Sequence, residues 1–395
     1  MPNLATLIKQ ARKNPSVLKS NEFIHARIFS PDSYIMLLEM GPNCNLRCSA
    51  CCDDCGPDKI GLPSQKIVDR AFADAYRCGI FRVSLTDGEP LREENKGVVK
   101  VAAKASSYFE VALVTNGTFA NTPEKTLEWF DFLKQNEYNF RISKMRVSAG
   151  AMYPTTKHHF ENINQAAGQV TEKDAGNFLS YLFLLGQDTK DNQRRLMDLV
   201  QSIQKSLGKK RVYTYSEKPE DRWIKVHVSK GKPVNICIGE VEPFGRAANL
   251  AHFNKNWPVK KLELEELFFE EYPVTDFSVM FDGGVHFNDN GGIFGRNNVY
   301  GNIKEEHLGV ILRRMRADTL FQGFKLGCTP LLYYATKQIN PNYSVTGRTG
   351  WDVLRYILRD KDLLVEVRKY LSHNGVVDTY KKFVASVDLS IGPKI

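Results

Sequence analysis

The chain has 395 residues, enough for one large domain with an appendage or for two ordinary domains, and its 42% apolar content can fill a sizeable core. No run approaches the ~20 uninterrupted apolar residues of a membrane-spanning helix, so no membrane span is expected. A formal charge of +9 favours an acidic partner through long-range steering, yet the basic residues are dispersed and form no arginine-rich tract or nucleic-acid recognition motif.

Residues 1–32 carry Lys and Arg but no acid before Glu22, and lack the continuous apolar segment of a secretory signal. They are expected to form a surface helical segment, with an organelle-targeting peptide as the alternative. From residue 33 to about 216, short apolar strands alternate with amphipathic helices, the pattern of a parallel α/β sheet or barrel. SYIMLLEM, Ser33 to Met40, is the predicted first strand. A helix follows from the N-cap candidate Ser64, with Ile67, Ala71, Phe72, Ala75 and Cys78 on one face and Gly79 as its stop. Cys78 therefore reads as a small core residue. Later strands are predicted from Phe81, Glu110, Lys144, Phe178 and Arg211, the last after a helix between Asn192 and Leu207. Ligands of parallel α/β folds gather at the C-terminal ends of the strands. After about Leu250 a Glu-rich stretch gives way to the glycine- and asparagine-rich FDGGVHFNDNGGIFGRNN, and from about Thr349 the chain reads as one or two helices with apolar packing faces.

Of eight cysteines, five lie between residues 44 and 55. That is a poor disulfide framework for a chain of this size, and metal binding in a reducing, cytoplasmic setting explains it better. Cys44, Cys48 and Cys51 stand at Cys-x3-Cys-x2-Cys spacing just after the first strand. Iron-sulfur clusters are usually held by four cysteines, so three thiolates leave one iron open to a small molecule, a catalytic arrangement. Cys48, Cys52 and Cys55 repeat the spacing in a second register, and a zinc knot built from paired Cys-x2-Cys units is a further reading.

The spacing, Asn45 after the first cysteine, and the downstream motifs resemble the radical SAM enzyme superfamily. The resemblance implies a partial (β/α)6 TIM-like barrel within an α/β fold, one 4Fe-4S cluster, and S-adenosylmethionine bound at the open iron. It also selects the register. The residue before the third cysteine is usually apolar or aromatic in the family, and it is Ala50 in the first register and Asp54 in the second, so Cys44, Cys48 and Cys51 are the expected metal ligands. Thr86-Asp87-Gly88-Glu89-Pro90 resembles the Gly-Gly-Glu-Pro segment that meets the methionine amino group, which assigns Gly88 and Glu89 to the cofactor, with Asp87 in place of the first glycine. Val114 to Thr118, VTNGT, resembles a run at the end of the third strand, and makes Asn116 a candidate for a nearby loop or the ligand; an asparagine-glycine turn is the rival reading. Ser148, at the end of the fourth strand, is a candidate for the S-adenosylmethionine carboxylate or ribose. Arg246, in the Gly-Arg-Ala segment of ICIGEVEPFGRAAN, is a candidate for adenosine or substrate, against a structural salt bridge. His158 and His159 diverge by roughly 100 degrees on a helix of ~3.6 residues per turn, and are expected to be solvated rather than ligands of one ion.

The stretch from Phe281 to Arg314 resembles a SPASM or twitch extension, an Asp-Gly-x-Val hairpin followed by Gly-Asn-Ile and a helix. Phe287 and Asn288 occupy its Pro-Cys positions, and Cys237 and Cys328 are too few for a second cluster. The expected organisation is thus an N-terminal helical segment (1–32), a radical SAM core (33–250), a smaller α+β degenerate SPASM-like extension (251–348), and C-terminal helices (349–395). The expected chemistry is cleavage of S-adenosylmethionine to a 5'-deoxyadenosyl radical that abstracts a substrate hydrogen, in peptide or natural-product maturation. A small metabolite or RNA is the alternative substrate, and an acidic electron donor such as flavodoxin or ferredoxin the expected partner. A non-catalytic zinc or iron-sulfur protein, or a scaffold that binds S-adenosylmethionine without turnover, is the reading from other functional classes.

Overall fold

The structure, a computed structural model, describes residues 7, 10, 14–29, 35–49, 51, 54–105, 108–134, 144–150, 153–170, 175–185, 189–208, 213–218, 221–228, 232–240, 260–261, 277–287, 299–347 and 350–387. The chain divides into two compact units, one of Met1–Tyr34, Ala251–Ser278 and Val285–Ile395, the other of Ile35–Leu250 and Val279–Gly284. The first unit opens with helix α1 (Asn21–Phe29), which buries Phe23 and Ile24.

The second unit is an α/β sheet. Strand β1 (Ile35–Glu39) leads to helix α2 (Gln65–Arg77), β2 (Arg82–Thr86), α3 (Lys96–Ala105), β3 (Glu110–Thr115), α4 (Pro123–Lys134), β4 (Lys144–Gly150), α5 (Lys157–Val170), β5 (Leu179–Leu185), α6 (Thr189–Leu207), β6 (Tyr213–Lys218), β7 (Asp221–Val226) and β8 (Val234–Glu240). Strands β1 to β5 and then β8 run parallel in that spatial order, with Leu37 opposite Ser84, Leu85 opposite Leu113, Val147 opposite Tyr181, and Phe183 opposite Ile238. The described sheet is open and does not close into a barrel. Helix α2 shows how the sequence builds each layer. Ser64 caps it by accepting from the Ile67 N–H, and Ile67, Val68, Ala71, Phe72 and Ala75 form its buried face. Burial of each large apolar side chain on that face contributes about 1.5–3 kcal/mol. Cys78 differs from the core placement expected of it: it is the C-cap, partly exposed, just before Gly79 at φ 70°.

Two expected strands are corrected. Phe178 ends a single helical turn, Ala175–Phe178, and the strand begins at Leu179. The run from Arg211 does not supply a sixth parallel strand. Its strand β6 pairs antiparallel with β7, and β7 antiparallel with β8. Only residues 219–220 separate β6 from β7, and a parallel pairing needs a crossover of about a dozen residues. The sixth parallel place belongs to β8, on the ICIGE run.

In the first unit, β9 (Lys260–Lys261) and the later β13 (Thr346–Gly347) form a short antiparallel pair. Strands β10 (Phe277–Val279) and β11 (Gly284–Phe287) flank the Asp282-Gly283 turn, and β12 (Val299–Asn302) lies beside β11. Then come α7 (Leu308–Ala317), α8 (Thr319–Ile339), α9 (Gly350–Arg359), α10 (Lys361–Asn374) and α11 (Val376–Ser386). The last three replace the one or two helices expected from Thr349. Helix α8 is the hub, packed against α1, α9, α10 and α11, and its Phe321 and Phe324 meet the Phe287 ring. No helix among the described residues is long and apolar enough to cross a membrane.

Candidate functional site

Three loops leave the C-terminal ends of the first three parallel strands, and side-chain hydrogen bonds join them. The first follows β1. Asn43 and Gly56 form a parallel bridge, the Cys44 N–H donates to Gly56 O at 3.2 Å, and the Gly56 N–H donates to Pro42 O at 3.0 Å. The cysteine run is therefore a loop pinned at its neck. Cys44 and Cys55 are buried at that neck, while Cys48 and Cys51 are partly exposed farther out. Ala50 and Cys52 lie outside the described residues. The sulfurs collect N–H donors: Leu46 N–H to Cys44 Sγ at 3.4 Å, Cys55 N–H to Cys51 Sγ at 3.2 Å, and Gly88 N–H to Cys55 Sγ at 3.3 Å.

The second loop follows β2. Asp87 and Gly88 both adopt positive φ, 63° and 56°. A Cβ on Gly88 would stand 2.3 Å from Asn43 O and 2.5 Å from Gly41 O, so only glycine allows the two loops to approach this closely. Glu89 is buried. Its Oε1 accepts from the Leu91 N–H at 2.8 Å and the Thr115 hydroxyl at 2.7 Å, and its Oε2 from the Asn116 N–H at 2.7 Å. A carboxylate has about four lone-pair sites, so Glu89 first clamps the third loop and keeps one acceptor position on Oε2. Burial pushes its pKa up to about 6, opposed by those hydrogen bonds and by the charge of Arg92. Asn95 supports the turn by donating to Glu89 O at 2.8 Å, and Arg92 donates to Asn43 Oδ1.

The third loop follows β3. Asn116 Nδ2 donates to Asn45 Oδ1 at 3.0 Å and lies 3.6 Å from Cys44 Sγ. Its Oδ1 accepts from the Thr118 N–H at 2.9 Å and the Thr118 hydroxyl at 2.6 Å, and Asn45 Nδ2 donates to Thr118 Oγ1 at 2.7 Å. The Cys44 thiol has its pKa raised chiefly by burial, with a smaller push from the Glu89 and Cys51 charges, while the Leu46 and Asn116 donors lower it.

The structure thus brings Cys44, Gly88, Glu89 and Asn116 together, with Cys51 in the same loop. Ser148 is buried in β4 opposite Leu182. Arg246 and Asn288 lie outside the described residues, as does the side chain of Cys328. Cys237 is exposed on β8. His158 Nε2 faces Asn162 Nδ2 at 3.4 Å, and His159 Nδ1 meets the Thr156 N–H and hydroxyl at 3.3 and 3.0 Å, so each imidazole turns to its own helix. Sequence reasoning missed Thr115, Thr118 and the side-chain role of Asn45. The signal was the pair of threonines flanking Asn116-Gly117 at a strand end.

The chain is similar in fold to radical SAM enzymes. One is BtrN in complex with S-adenosylmethionine and 2-DOIA, at 13% identity over 75% of this chain and 88% of that one, TM-score 0.39. SuiB of Streptococcus suis bound to S-adenosylmethionine gives 14% identity over 82% and 78%, TM-score 0.44. The enzyme anSMEcpe with bound S-adenosylmethionine gives 12% identity over 88% and 99%, TM-score 0.43. No protein-family profile and no curated protein matches the chain.

Among the described residues no three His, Cys, Asp or Glu side chains gather closely enough to hold one metal ion. A cube-shaped cluster does not require that, because each cysteine binds a different iron at a different corner. The donor set suits such a group: three thiols on one pinned loop, with Leu46, Asn116 and Cys55 N–H groups directed at Cys44 and Cys51 sulfur. Hydrogen bonds to thiolate sulfur are a recognised means of adjusting iron-sulfur centres.

Proposed function

We propose that this chain is a radical S-adenosylmethionine enzyme in which Cys44, Cys48 and Cys51 hold one 4Fe-4S cluster and leave its fourth iron for the cofactor. One observation carries the reading: the cysteine loop, the Gly-Glu-Pro turn and the Asn-Gly turn, far apart in sequence, are joined through Glu89, Asn116 and Cys44. Bound there, the cluster supplies the electron that cleaves S-adenosylmethionine to methionine and a 5'-deoxyadenosyl radical, which abstracts a substrate hydrogen. The residues of the chain bind and orient. Gly88 keeps backbone close to the cysteine loop, and Glu89 fixes that turn while its remaining Oε2 acceptor position suits an ammonium. Ser148 and Arg246 are assigned to the carboxylate or ribose and to adenosine or substrate. The substrate class is a peptide or natural-product precursor, shaped by the degenerate extension in residues 251–348, and the setting is reducing and cytoplasmic.

Anaerobic reconstitution with iron and sulfide, followed by reduction in the presence of S-adenosylmethionine, should yield 5'-deoxyadenosine. The protein with Cys44, Cys48 and Cys51 all changed to alanine should yield none. Absence of both cluster and product from the parent protein, with zinc retained instead, would overturn the proposal in favour of a structural metal site.

A further inference from the structure

We propose that Asn116 is a positioning residue for the cluster, holding the Cys44 sulfur with its side-chain amide and adjusting the cluster's reduction potential; this rests on the radical SAM reading above. The amide orientation is fixed by chemistry. The Thr118 backbone N–H can only donate, so the group 2.9 Å from it must be the Asn116 oxygen, and the Asn116 NH2 must face Cys44 Sγ at 3.6 Å. A ring of three side chains reinforces this. Asn116 Nδ2 donates to Asn45 Oδ1, Asn45 Nδ2 donates to Thr118 Oγ1, and the Thr118 hydroxyl donates to Asn116 Oδ1. Each member uses a donor and an acceptor, so turning one amide over would break contacts at both neighbours. The backbone of Asn116 is tied separately, through its N–H to Glu89 Oε2.

Asn116 and Cys44 are buried, so little water competes for the sulfur. An N–H directed at a coordinated thiolate draws off charge and favours the reduced, more negative state of a cluster, which raises its potential. The ring would thereby link Gly-Glu-Pro and Asn-Gly loops to the ease of electron uptake, through one hydrogen bond rather than through a ligand.

The test is an anaerobic redox titration of the reconstituted protein, read by electron paramagnetic resonance, for the parent, Asn116→Asp and Thr118→Val. Asn116→Asp keeps the shape but replaces the donor with an acceptor. Its cluster should assemble with the parent's iron content and titrate at a more negative potential with an altered spectrum. Thr118→Val, which cuts the ring one step away, should shift in the same direction by less, and remains informative if Asn116→Asp does not fold. Asn164→Ala, which breaks buried hydrogen bonds to Ser202 and Tyr181 in the same unit, should lower stability and leave the potential unchanged. Potentials for both Asn116→Asp and Thr118→Val equal to the parent's, with only stability reduced, would overturn the proposal. Failure of the parent to assemble a cluster would instead overturn the reading on which it rests.

Discussion

Asp87 and Gly88 sit side by side in the left-handed region of the backbone, with φ of 63° and 56°. For most side chains that region costs about 1–2 kcal/mol, and aspartate is among the few non-glycine residues that visit it routinely. The substitution of the family's first glycine by Asp87 therefore keeps the backbone path of the turn, and the path follows from φ rather than from glycine itself. Asp87→Gly should leave the metal-free protein within about 1 kcal/mol of the parent in urea denaturation, because relief of the left-handed cost is offset by added freedom in the unfolded chain. Asp87→Val, β-branched and poorly suited to positive φ, should fall below Asp87→Gly by about 1–2 kcal/mol or more. Equal stability of the two would show that backbone strain is not what this position selects. At this scale Gly88, Glu89 and Asn116 were legible because each lies in a short contiguous motif. Thr118 was not, since its partner Asn45 lies 73 positions away and the contact exists only once β1 and β3 are in register.

Helices and parallel strands were the most legible elements, and α2 is the clearest: Ser64 as N-cap, a repeating apolar face, and Gly79 beyond its end all follow from local chemistry. Strand β6 was misjudged because its composition fits either direction, and its antiparallel pairing is decided by the short link to β7. Contacts that bind one helix to another were illegible for the same reason of distance. Asp318 is the strongest case. It caps α8 by accepting from the Leu320 N–H at 2.9 Å, accepts from the Tyr300 hydroxyl at 2.6 Å, and pairs with Arg368 Nε on α10 at 3.2 and 3.0 Å. Losing a helix cap costs ~1 kcal/mol, and leaving a buried hydroxyl and a half-buried guanidinium without that partner costs about 1–3 kcal/mol more. Asp318→Ala should thus destabilise the protein by about 2–4 kcal/mol, with Asp318→Asn between it and the parent because the amide oxygen can still cap. Chemical denaturation of the parent and both variants checks the order, and an Asp318→Ala loss under ~1 kcal/mol would mean that the network contributes little beyond the cap.

For the molecule as a whole, the charge of +9 bears on how electrons arrive. Its basic residues are spread along the sequence, so the expected effect is a general attraction for an acidic redox partner rather than a single docking motif. Such attraction between exposed charges acts over the Debye length, about 10 Å at 0.1 M salt and ~3 Å at 1 M. With flavodoxin as reductant, the concentration giving half-maximal 5'-deoxyadenosine formation should rise severalfold between low and high salt. The KM for S-adenosylmethionine should change much less, because that small ligand is held by short contacts inside the site. A parallel weakening of both would point to a salt effect on the enzyme's own structure. A flavodoxin dependence insensitive to salt would instead show that a specific apolar surface governs the encounter, and the net charge would then carry no information about the electron donor.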